Sequence, residues 1–355
     1  MNSVRLSAPQ LQGLVPYDPK YLPAEAFLSA NENPRDVDED VRKAILREVK
    51  KTAFNRYPDP LANELRDMIA EANGLERDCV LMGNGGDELL FNMALAWGGP
   101  GRTFLNLPPT FSVYAANARL TGTTVVDIPR LDDFSIDEAA VLDRVAQGDI
   151  DFIIVASPNN PTGLMAPTAF IEQLLEATDA LVMVDEAYFE FSRQTVRPYL
   201  EKHKNLVILR TFSKAFSLAG VRMGYILGNP EVIDEFLKVR QPYSVDAVSQ
   251  AIARVVYANR AKFELGIRAI IDERARVLEA LKSTPGVMPY PSDSNWILFK
   301  LEGAHKAWEY LYENGVLVRD FSSSAGLEEC LRVTIGTPEQ NDMFIKNLRD
   351  FVMRK

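Results

Sequence analysis

The sequence has few of the residues that build disulfide frameworks, metal sites and histidine-based catalytic triads. Its 355 residues include two cysteines and two histidines. Cys79 and Cys330 lie far apart without disulfide or zinc-ligand spacing, so we expect two reduced thiols. His203 and His305 have no ligand-like partner at short spacing, so we predict no metal site and no Ser-His-Asp triad. If the protein is an enzyme, another group carries its chemistry.

Long apolar runs and an excess of basic residues are also absent. No run approaches the roughly 20 apolar residues of a membrane helix, and the first residues show no apolar signal-peptide core. We therefore expect a cytoplasmic protein without a membrane partner. The 39 basic and 49 acidic residues give a net charge of −10 at pH 7, which argues against nucleic acid because nucleic-acid affinity depends on a basic face. One basic pocket for a small anion remains compatible with this charge.

Short apolar runs alternate with amphipathic segments through the middle of the chain. Continuous apolar runs separated by helices are typical of a parallel sheet that is covered on both faces. The pattern predicts a large α/β domain. The predicted strands are Cys79–Met82, Thr103–Leu107, Thr123–Ile128, Phe152–Ala156, Leu181–Val184, Leu206–Leu209 and Met223–Leu227.

The two ends of the chain have a different pattern. The first 30 or so residues are predicted to be an extended arm, because four prolines interrupt regular structure there. A long helical stretch from Ala247 to Lys282 precedes a smaller α+β segment with strands near 296–301, 316–318 and 331–335. We predict an arm and part of a small domain in residues 1–50, a large ligand-binding domain in 51–245, and a small C-terminal domain in 246–355.

A lysine follows the sixth predicted strand, at the edge where open α/β sheets bind ligands. Lys214 has hydroxyls nearby at Thr211 and Ser213, and Arg222 lies eight residues further along. The hydroxyls and the guanidinium could bind a phosphate, and the lysine amine could form an imine with a carbonyl cofactor. Taken alone, this segment is better explained by a solvated surface lysine.

An aspartate ends the fifth predicted strand. A carboxylate at this place can pair with a protonated pyridine nitrogen, although Asp185 could also cap a helix. Tyr188, three residues on, could hydrogen-bond to the oxygen on the same ring. The segment therefore admits both a structural and a cofactor-binding interpretation.

Two further motifs follow the fourth and the first predicted strands. Residues 157–163 (SPNNPTG) favour a turn, within which Asn160 could donate to a phenolate oxygen. Residues 83–88 (GNGGDE) open a helix whose amides suit a phosphate, but they lack the GxGxxG spacing of a dinucleotide site. The chemistry of all four motifs converges on a phosphorylated pyridine aldehyde.

The order of these motifs resembles that of the fold-type-I pyridoxal-phosphate (PLP) aminotransferases, and in particular the histidinol-phosphate aminotransferases. The resemblance covers nearly the whole chain and implies an aspartate-aminotransferase-like α/β fold. It implies a large domain with a mostly parallel seven-stranded sheet, a smaller α+β domain, and a homodimer with shared active sites. The motifs are SANENP (29–34), RYPD (56–59), GNGGDE (83–88), PNNPTG (158–163), VDEAY (184–188), TFSKAFSLAGVRMGY (211–225), GVLVRD (315–320) and LRVTIGT (331–337).

The resemblance also implies a role for each matching residue. Lys214 would be the catalytic residue that forms the Schiff base and moves the proton, and Asp185 would hold the pyridinium. The substrate residues would be Arg332 for the amino-acid carboxylate, Arg319 and Tyr17 for the distal anion, and Asn33. The cofactor contacts would be Asn160 and Tyr188 at the ring oxygen, Tyr114 stacked on the ring, Gly85, Gly86, Asp87, Thr211, Ser213 and Arg222 at the phosphate, and Tyr57 at the phosphate of the cofactor in the partner subunit.

The implied reaction is PLP-dependent transamination of L-histidinol phosphate with 2-oxoglutarate, in histidine biosynthesis. An aromatic or other amino-acid aminotransferase and a threonine-phosphate decarboxylase are similar in sequence and remain alternatives. A PLP-binding transcription regulator without activity is disfavoured, because no residues are left over for a DNA-binding domain. The chain departs from the family at Arg35-Asp36, where Gly-Pro is usual, at Gly86, where serine is common, and at Phe111, where tyrosine is frequent. The first departure could reshape the substrate entrance.

Overall fold

The structure is a computed structural model that describes residues 7–12, 14 and 22–354. Two β-sheets form its centre, and helices pack around both. The strands of the described residues are β1 (Ala26–Leu28), β2 (Val80–Asn84), β3 (Thr103–Asn106), β4 (Thr124–Asp127), β5 (Phe152–Ala156), β6 (Leu181–Asp185), β7 (Leu206–Thr211), β8 (Met223–Gly228), β9 (Val287–Pro289), β10 (Trp296–Leu301), β11 (Val316–Asp320) and β12 (Cys330–Thr334).

The larger sheet has seven strands in the order β2-β8-β7-β6-β5-β3-β4. The strands from β7 through β4 pair in parallel, and β8 runs antiparallel to both of its neighbours. Every residue of β5, β6, β7 and β8 is buried, as expected for apolar strands that are covered on both faces. The predicted mostly parallel seven-stranded sheet is confirmed.

The smaller sheet has five strands in the order β1-β11-β12-β10-β9. Its three central strands lie where the sequence predicts them, whereas β1 and β9 were not predicted. Each of these two has only three residues, which is too short for an alternating pattern to be visible. β1 pairs in parallel with β11, so part of the predicted extended arm is an edge strand of the small sheet.

The helices surround the two sheets. The predicted stretch from Ala247 to Lys282 is in fact two helices separated by a 3₁₀ turn at Arg260–Phe263. The first of them ends before Asn259, whose side chain donates to the backbone oxygen of Val255 at 2.9 Å. The helices are α1 (Glu39–Val49), α2 (Asn63–Asn73), α3 (Gly85–Trp97), α4 (Val113–Leu120), α5 (Glu138–Val145), α6 (Thr168–Ala177), α7 (Phe189–Ser192), α8 (Pro230–Val239), α9 (Ala247–Ala258), α10 (Glu264–Lys282), α11 (Ala304–Glu313) and α12 (Pro338–Met353). No helix in this described part of the chain is long and apolar enough to span a membrane.

Separate apolar cores cover the two sheets. Val41 of α1 and Val256 of α9 pack in the core of the large sheet, whereas Trp296 and Phe344 pack in the core of the small sheet. Complete burial of such a side chain contributes about 1.5–3 kcal/mol. Tyr188, which follows the large sheet, also packs with the core of the small sheet. The region after β6 therefore lies at the junction of the two cores. The domain boundaries at residues 50 and 245 stay predictions.

Candidate active site

One edge of the large sheet brings the predicted polar residues together. β6 and β7 are parallel, and β2 has the same direction as β7 because both pair antiparallel with β8. The carboxyl ends of these three strands therefore meet at one edge, together with the start of β8. Asp185 ends β6, Thr211 ends β7, Gly85 follows β2, and Arg222 precedes β8. This is the edge at which open α/β sheets bind ligands.

Lys214 lies in the turn after β7. Its side chain is half-buried, and its Nζ donates to the backbone oxygen of Ala30 at 3.1 Å. The Nζ also lies 5.7 Å from the centre of the Tyr188 ring. Burial, with a smaller contribution from the nearby Arg332 guanidinium, lowers the pKa of Lys214 to about 8. A large fraction of this amine is thus neutral slightly above neutral pH, which a nucleophile or general base requires.

Asp185 is a buried carboxylate with two donors. The Tyr114 hydroxyl donates to its Oδ2 at 2.6 Å, and the Ala187 amide donates to its Oδ1 at 3.0 Å. Burial raises the pKa of Asp185 to about 6, so the carboxylate is mostly ionised at neutral pH. The site therefore holds a fixed negative charge that a cationic ring nitrogen would neutralise.

Two glycines beside the start of α3, Gly85 and Gly224, lie where the backbone passes very close to neighbouring groups. Gly85 has a φ of +75°, and a Cβ placed there would lie 2.6 Å from the Arg222 guanidinium. A Cβ on Gly224 would lie 2.8 Å from the backbone of both Gly85 and Gly86. The first amides of a helix have no partner within the helix, so Gly85, Gly86 and Asp87 present donors at this place. Arg222 is held beside them by an ion pair with Asp87 at 2.8 Å.

Two hydroxyls complete this group of donors. Thr211 Oγ1 lies 3.0 Å from Ser213 Oγ, and the Ser213 amide donates to Thr211 Oγ1 at 3.1 Å. A helix N-terminus, two hydroxyls and a guanidinium are the donor set that a phosphate dianion requires. Because an amine and a buried carboxylate lie at the same strand edge, the residues present fit pyridoxal phosphate.

Arg332 joins three segments of the chain in the site. It is 5% exposed, and its guanidinium donates to the side-chain oxygen of Asn160 and, at 2.6 Å, to the backbone oxygen of Ser29. The Asn160 amide nitrogen is not used in this bond. Arg319 is the direct cross-strand partner of Arg332, so two guanidinium groups project from the same face of the small sheet.

Asn31 is a site residue that the sequence did not single out. Its Nδ2 donates to the Tyr188 hydroxyl at 3.2 Å, and its backbone is held by Thr334 at 3.0 Å and Asn295 at 3.0 Å. Its φ is +55°, a conformation that asparagine tolerates better than most residues. The only signal was its place within the NENP motif.

The remaining predicted residues lie in different surroundings. Asn33 is next to the lysine turn, since its Nδ2 donates to the Ala215 oxygen at 3.1 Å. Tyr57 is 80% exposed and stacks on Tyr243 with ring centres 4.5 Å apart. Tyr17 lies outside the described residues.

One group of described residues has the composition of a cation site. Glu172, Glu176 and His203 offer ligand atoms within 4.8 Å of one another. The Lys202 ammonium already pairs with Glu172 at 3.1 Å, so the local charge is compensated without a metal ion. Glu172 and Glu176 lie on α6, and His203 lies shortly before β7, at the opposite end of that strand from Lys214.

The fold and the site together are those of fold-type-I PLP-dependent enzymes. A family profile described as aminotransferase class I and II matches residues 26–348, and the chain belongs to that family. It is 38% identical over 353 residues to histidinol-phosphate aminotransferase 1 of Carboxydothermus hydrogenoformans, covering 99% of this chain and 100% of that protein. This similarity confirms the family that the motifs predict.

Solved structures share the fold. The histidinol-phosphate aminotransferase from Sinorhizobium meliloti, in complex with pyridoxal-5'-phosphate, superposes with a TM-score of 0.89 at 24% identity and covers 99% of each chain. The L-threonine-O-3-phosphate decarboxylase from Porphyromonas gingivalis superposes with a TM-score of 0.82 at 27% identity, covering 93% of this chain and 100% of that one.

Proposed function

We propose that the protein is a PLP-dependent transaminase that transfers the amino group of L-histidinol phosphate to 2-oxoglutarate. The observation that carries the proposal is the position of Lys214, an amine with a pKa lowered to about 8 beside the Arg332 guanidinium. The similarity to a histidinol-phosphate aminotransferase over the full chain supports the substrate. The class I and II aminotransferase family supports the reaction type.

Lys214 acts as nucleophile and as general base in this proposal. The cofactor, when bound, supplies a ring that accepts the electron pair left on the substrate carbon. Lys214 Nζ would hold the cofactor, and as a free amine it would take the proton away from the substrate carbon. A lysine at its usual pKa of about 10.4 is a poor base at neutral pH, so the burial that lowers the pKa of Lys214 to about 8 is a functional feature.

Asp185 keeps the ring nitrogen protonated. Its carboxylate accepts from the Tyr114 hydroxyl at 2.6 Å and from the Ala187 amide at 3.0 Å, and these two bonds hold it in one orientation. A cation beside it favours the ionised carboxylate and lowers the pKa of Asp185. Asn160 and Tyr188 donate to the ring oxygen in the same proposal.

Arg319 and Arg332 bind the anionic ends of the substrates. One site must accept histidinol phosphate and 2-oxoglutarate in turn, and a guanidinium fork pairs with phosphate and carboxylate alike. The cross-strand position of the two arginines places two such forks on the same face. Tyr17 is proposed to help them at the distal anion.

We also propose that the enzyme is a homodimer with shared active sites. Tyr57, whose counterpart in the family reaches the cofactor of the other subunit, is 80% exposed, and Phe54 is 79% exposed. Burial of such aromatic side chains against a second copy would be favourable. The cytoplasmic location stays a prediction.

The substrate is tested by incubating the PLP-loaded protein with L-histidinol phosphate and 2-oxoglutarate and measuring glutamate. We expect stoichiometric glutamate and a far lower rate with phenylalanine. If glutamate formed only with phenylalanine or another amino acid, the protein would still be an aminotransferase, but histidinol phosphate would not be its substrate.

Decarboxylation is the second candidate, because a solved threonine-phosphate decarboxylase shares the fold at 27% identity. Both reactions take a small phosphorylated amine skeleton. Incubation with O-phospho-L-threonine distinguishes them, since a decarboxylase releases carbon dioxide without consuming a 2-oxo acid. We expect no carbon dioxide.

A further inference from the structure

A buried ion pair lies directly behind the proposed cofactor site. Glu186 follows Asp185, and Arg210 precedes Thr211. Glu186 is 1% exposed and Arg210 is 5% exposed. Arg210 donates through Nε to Glu186 Oε2 at 3.0 Å, and its Nη2 lies 2.9 Å from the same oxygen. Side chains of consecutive strand residues point to opposite faces, so the pair lies on the side of the sheet away from the site.

Both partners have further hydrogen bonds. The second carboxylate oxygen of Glu186 accepts from the Val196 amide at 2.7 Å, and the first also accepts from the Thr195 hydroxyl at 2.8 Å. Arg210 donates to Thr195 at 2.8 Å and to Asn73 of α2 at 3.0 Å. The pair thereby connects the segment after β6 with β7 and α2.

Aromatic packing fixes the guanidinium in this network. Its central carbon lies 3.9 Å from the centre of the Phe189 ring, and Tyr225, its cross-strand partner on β8, hydrogen-bonds to it. A planar, always-charged guanidinium can make all these contacts at once, whereas a lysine ammonium cannot. The geometry of the network therefore depends on arginine itself.

Stability alone does not explain such a pair. The desolvation cost of two buried charges often equals or exceeds their attraction, so apolar replacements can be equally stable. A fully hydrogen-bonded buried network instead fixes one arrangement of the segments it joins. Here the segments carry Asp185 and Tyr188 on one side, and Thr211, Ser213 and Lys214 on the other.

We propose that Glu186 and Arg210 are positioning residues that set the spacing between the Asp185 segment and the Lys214 segment. The inference rests on the proposed function for the role of these two segments in cofactor binding. Neither residue touches the cofactor in this account, because both lie behind the sheet edge. Without Glu186 or Arg210, the cofactor would still bind, but the distance between the Asp185 segment and the Lys214 segment would no longer be fixed.

A second buried carboxyl group supports the positioning role of the Glu186–Arg210 pair. Glu190 is 8% exposed, and its Oε2 has no hydrogen-bond partner among the described residues. Burial raises the pKa of Glu190 to about 8, and the Arg210 and Arg193 charges counteract this only in part. The neighbouring titratable groups are Glu186, Tyr225 and Tyr257. Near neutral pH Glu190 is thus mostly protonated and neutral, so it does not compete with Glu186 for the ion pair with Arg210.

The test compares Glu186→Gln with Thr195→Val and with a matched control. Glu186→Gln keeps the size of the side chain and removes its charge, and Thr195→Val removes one bridging hydroxyl if the first variant folds poorly. Arg66→Lys is the control, because Arg66 is likewise buried, with 3% of its surface exposed. Its side chain donates to the backbone oxygens of Val80 and Arg77, which lie near the start of β2 and away from the site. Thermal unfolding, kcat, KM and the pH dependence of the cofactor absorbance are measured for each holoenzyme.

We expect Glu186→Gln to lower kcat by about 10- to 100-fold with little change in KM, since misplacement of reacting groups by about 1 Å costs up to that factor. The pH midpoint of the cofactor absorbance shifts in Glu186→Gln and, less strongly, in Thr195→Val, but not in Arg66→Lys. Unchanged kcat and midpoint in both variants, with unfolding like that of the control, would overturn the proposal. A wild-type protein that binds no PLP would instead contradict the proposed function itself.

Discussion

Arg319 and Arg332 are direct cross-strand partners in the small sheet. Like charges directly opposite each other normally destabilise a strand pair. Arg332 is almost fully buried, which increases the cost of its charge. A sheet that keeps two guanidinium groups on one face, beside a proposed catalytic lysine, is suited to bind an anion.

Replacing Arg332 by lysine should therefore weaken the binding of both substrates. The variant keeps the charge but loses the fork that now reaches Asn160 and Ser29. A charged hydrogen bond contributes about 1.5–3 kcal/mol, so we expect KM for 2-oxoglutarate and for histidinol phosphate to rise by 10-fold or more. Steady-state kinetics give both values. Arg276→Lys on the surface of α10 serves as control, and equal KM values in the two variants would contradict the assignment.

The pH dependence of cofactor binding should report the state of Lys214. Only the neutral amine attacks the cofactor aldehyde, so the association rate rises as the pH increases through the lysine pKa. Burial lowers the pKa of Lys214 to about 8, so we expect a midpoint near that value. Stopped-flow absorbance of the apoprotein mixed with PLP provides the measurement. A midpoint near 10.4, the usual lysine pKa, would show that the amine is not desolvated.

Tyr114 should matter through its bond to Asp185. Tyr114→Phe removes the hydroxyl that donates to the buried carboxylate at 2.6 Å, and the pKa of Asp185 should rise further as a result. We expect kcat to fall by about 10-fold or more, since a hydrogen bond to a charged group contributes about 1.5–3 kcal/mol. Tyr199→Phe, on the 3₁₀ turn before β7, is the matched control. A variant with wild-type kcat at pH 7 would mean that Asp185 needs no such donor.

Gly224 should be irreplaceable for cofactor affinity. A Cβ there would lie 2.8 Å from the backbone of Gly85 and Gly86, so the start of α3 would have to move away from β8. We expect Gly224→Ala to raise the Kd for PLP by at least 10-fold, measured by fluorescence titration. Gly220→Ala is the control, because nothing lies within 4 Å of its added Cβ. Equal Kd values in the two alanine variants would contradict the claim that the cofactor phosphate binds at the start of α3.

The sequence predicted those parts of the fold that depend on local patterns. The seven apolar runs became the seven strands of the large sheet, and Asp185 and Lys214 follow two of them as expected. β1 was missed because three residues carry no period. The break at Asn259 was missed because the residues around it keep an otherwise helical pattern.

The contacts that organise the site could not be predicted from local patterns. Asn31 and Thr334 are 303 residues apart in the chain, and so are Arg332 and Ser29. Ser29 and Asn31 follow β1, whereas Arg332 and Thr334 lie on β12. β1 and β12 are neighbours of β11 on opposite sides, an arrangement that only the folded sheet defines. The network around Arg210 likewise joins α2, β7 and the segment after β6.

The most direct test of the central claim is the visible absorbance band of the bound cofactor in the wild-type protein and in Lys214→Ala. The account predicts that L-histidinol phosphate removes the wild-type band and that 2-oxoglutarate restores it, whereas Lys214→Ala lacks the wild-type band and forms no glutamate. A Lys214→Ala protein with the wild-type band and wild-type glutamate formation would contradict the account.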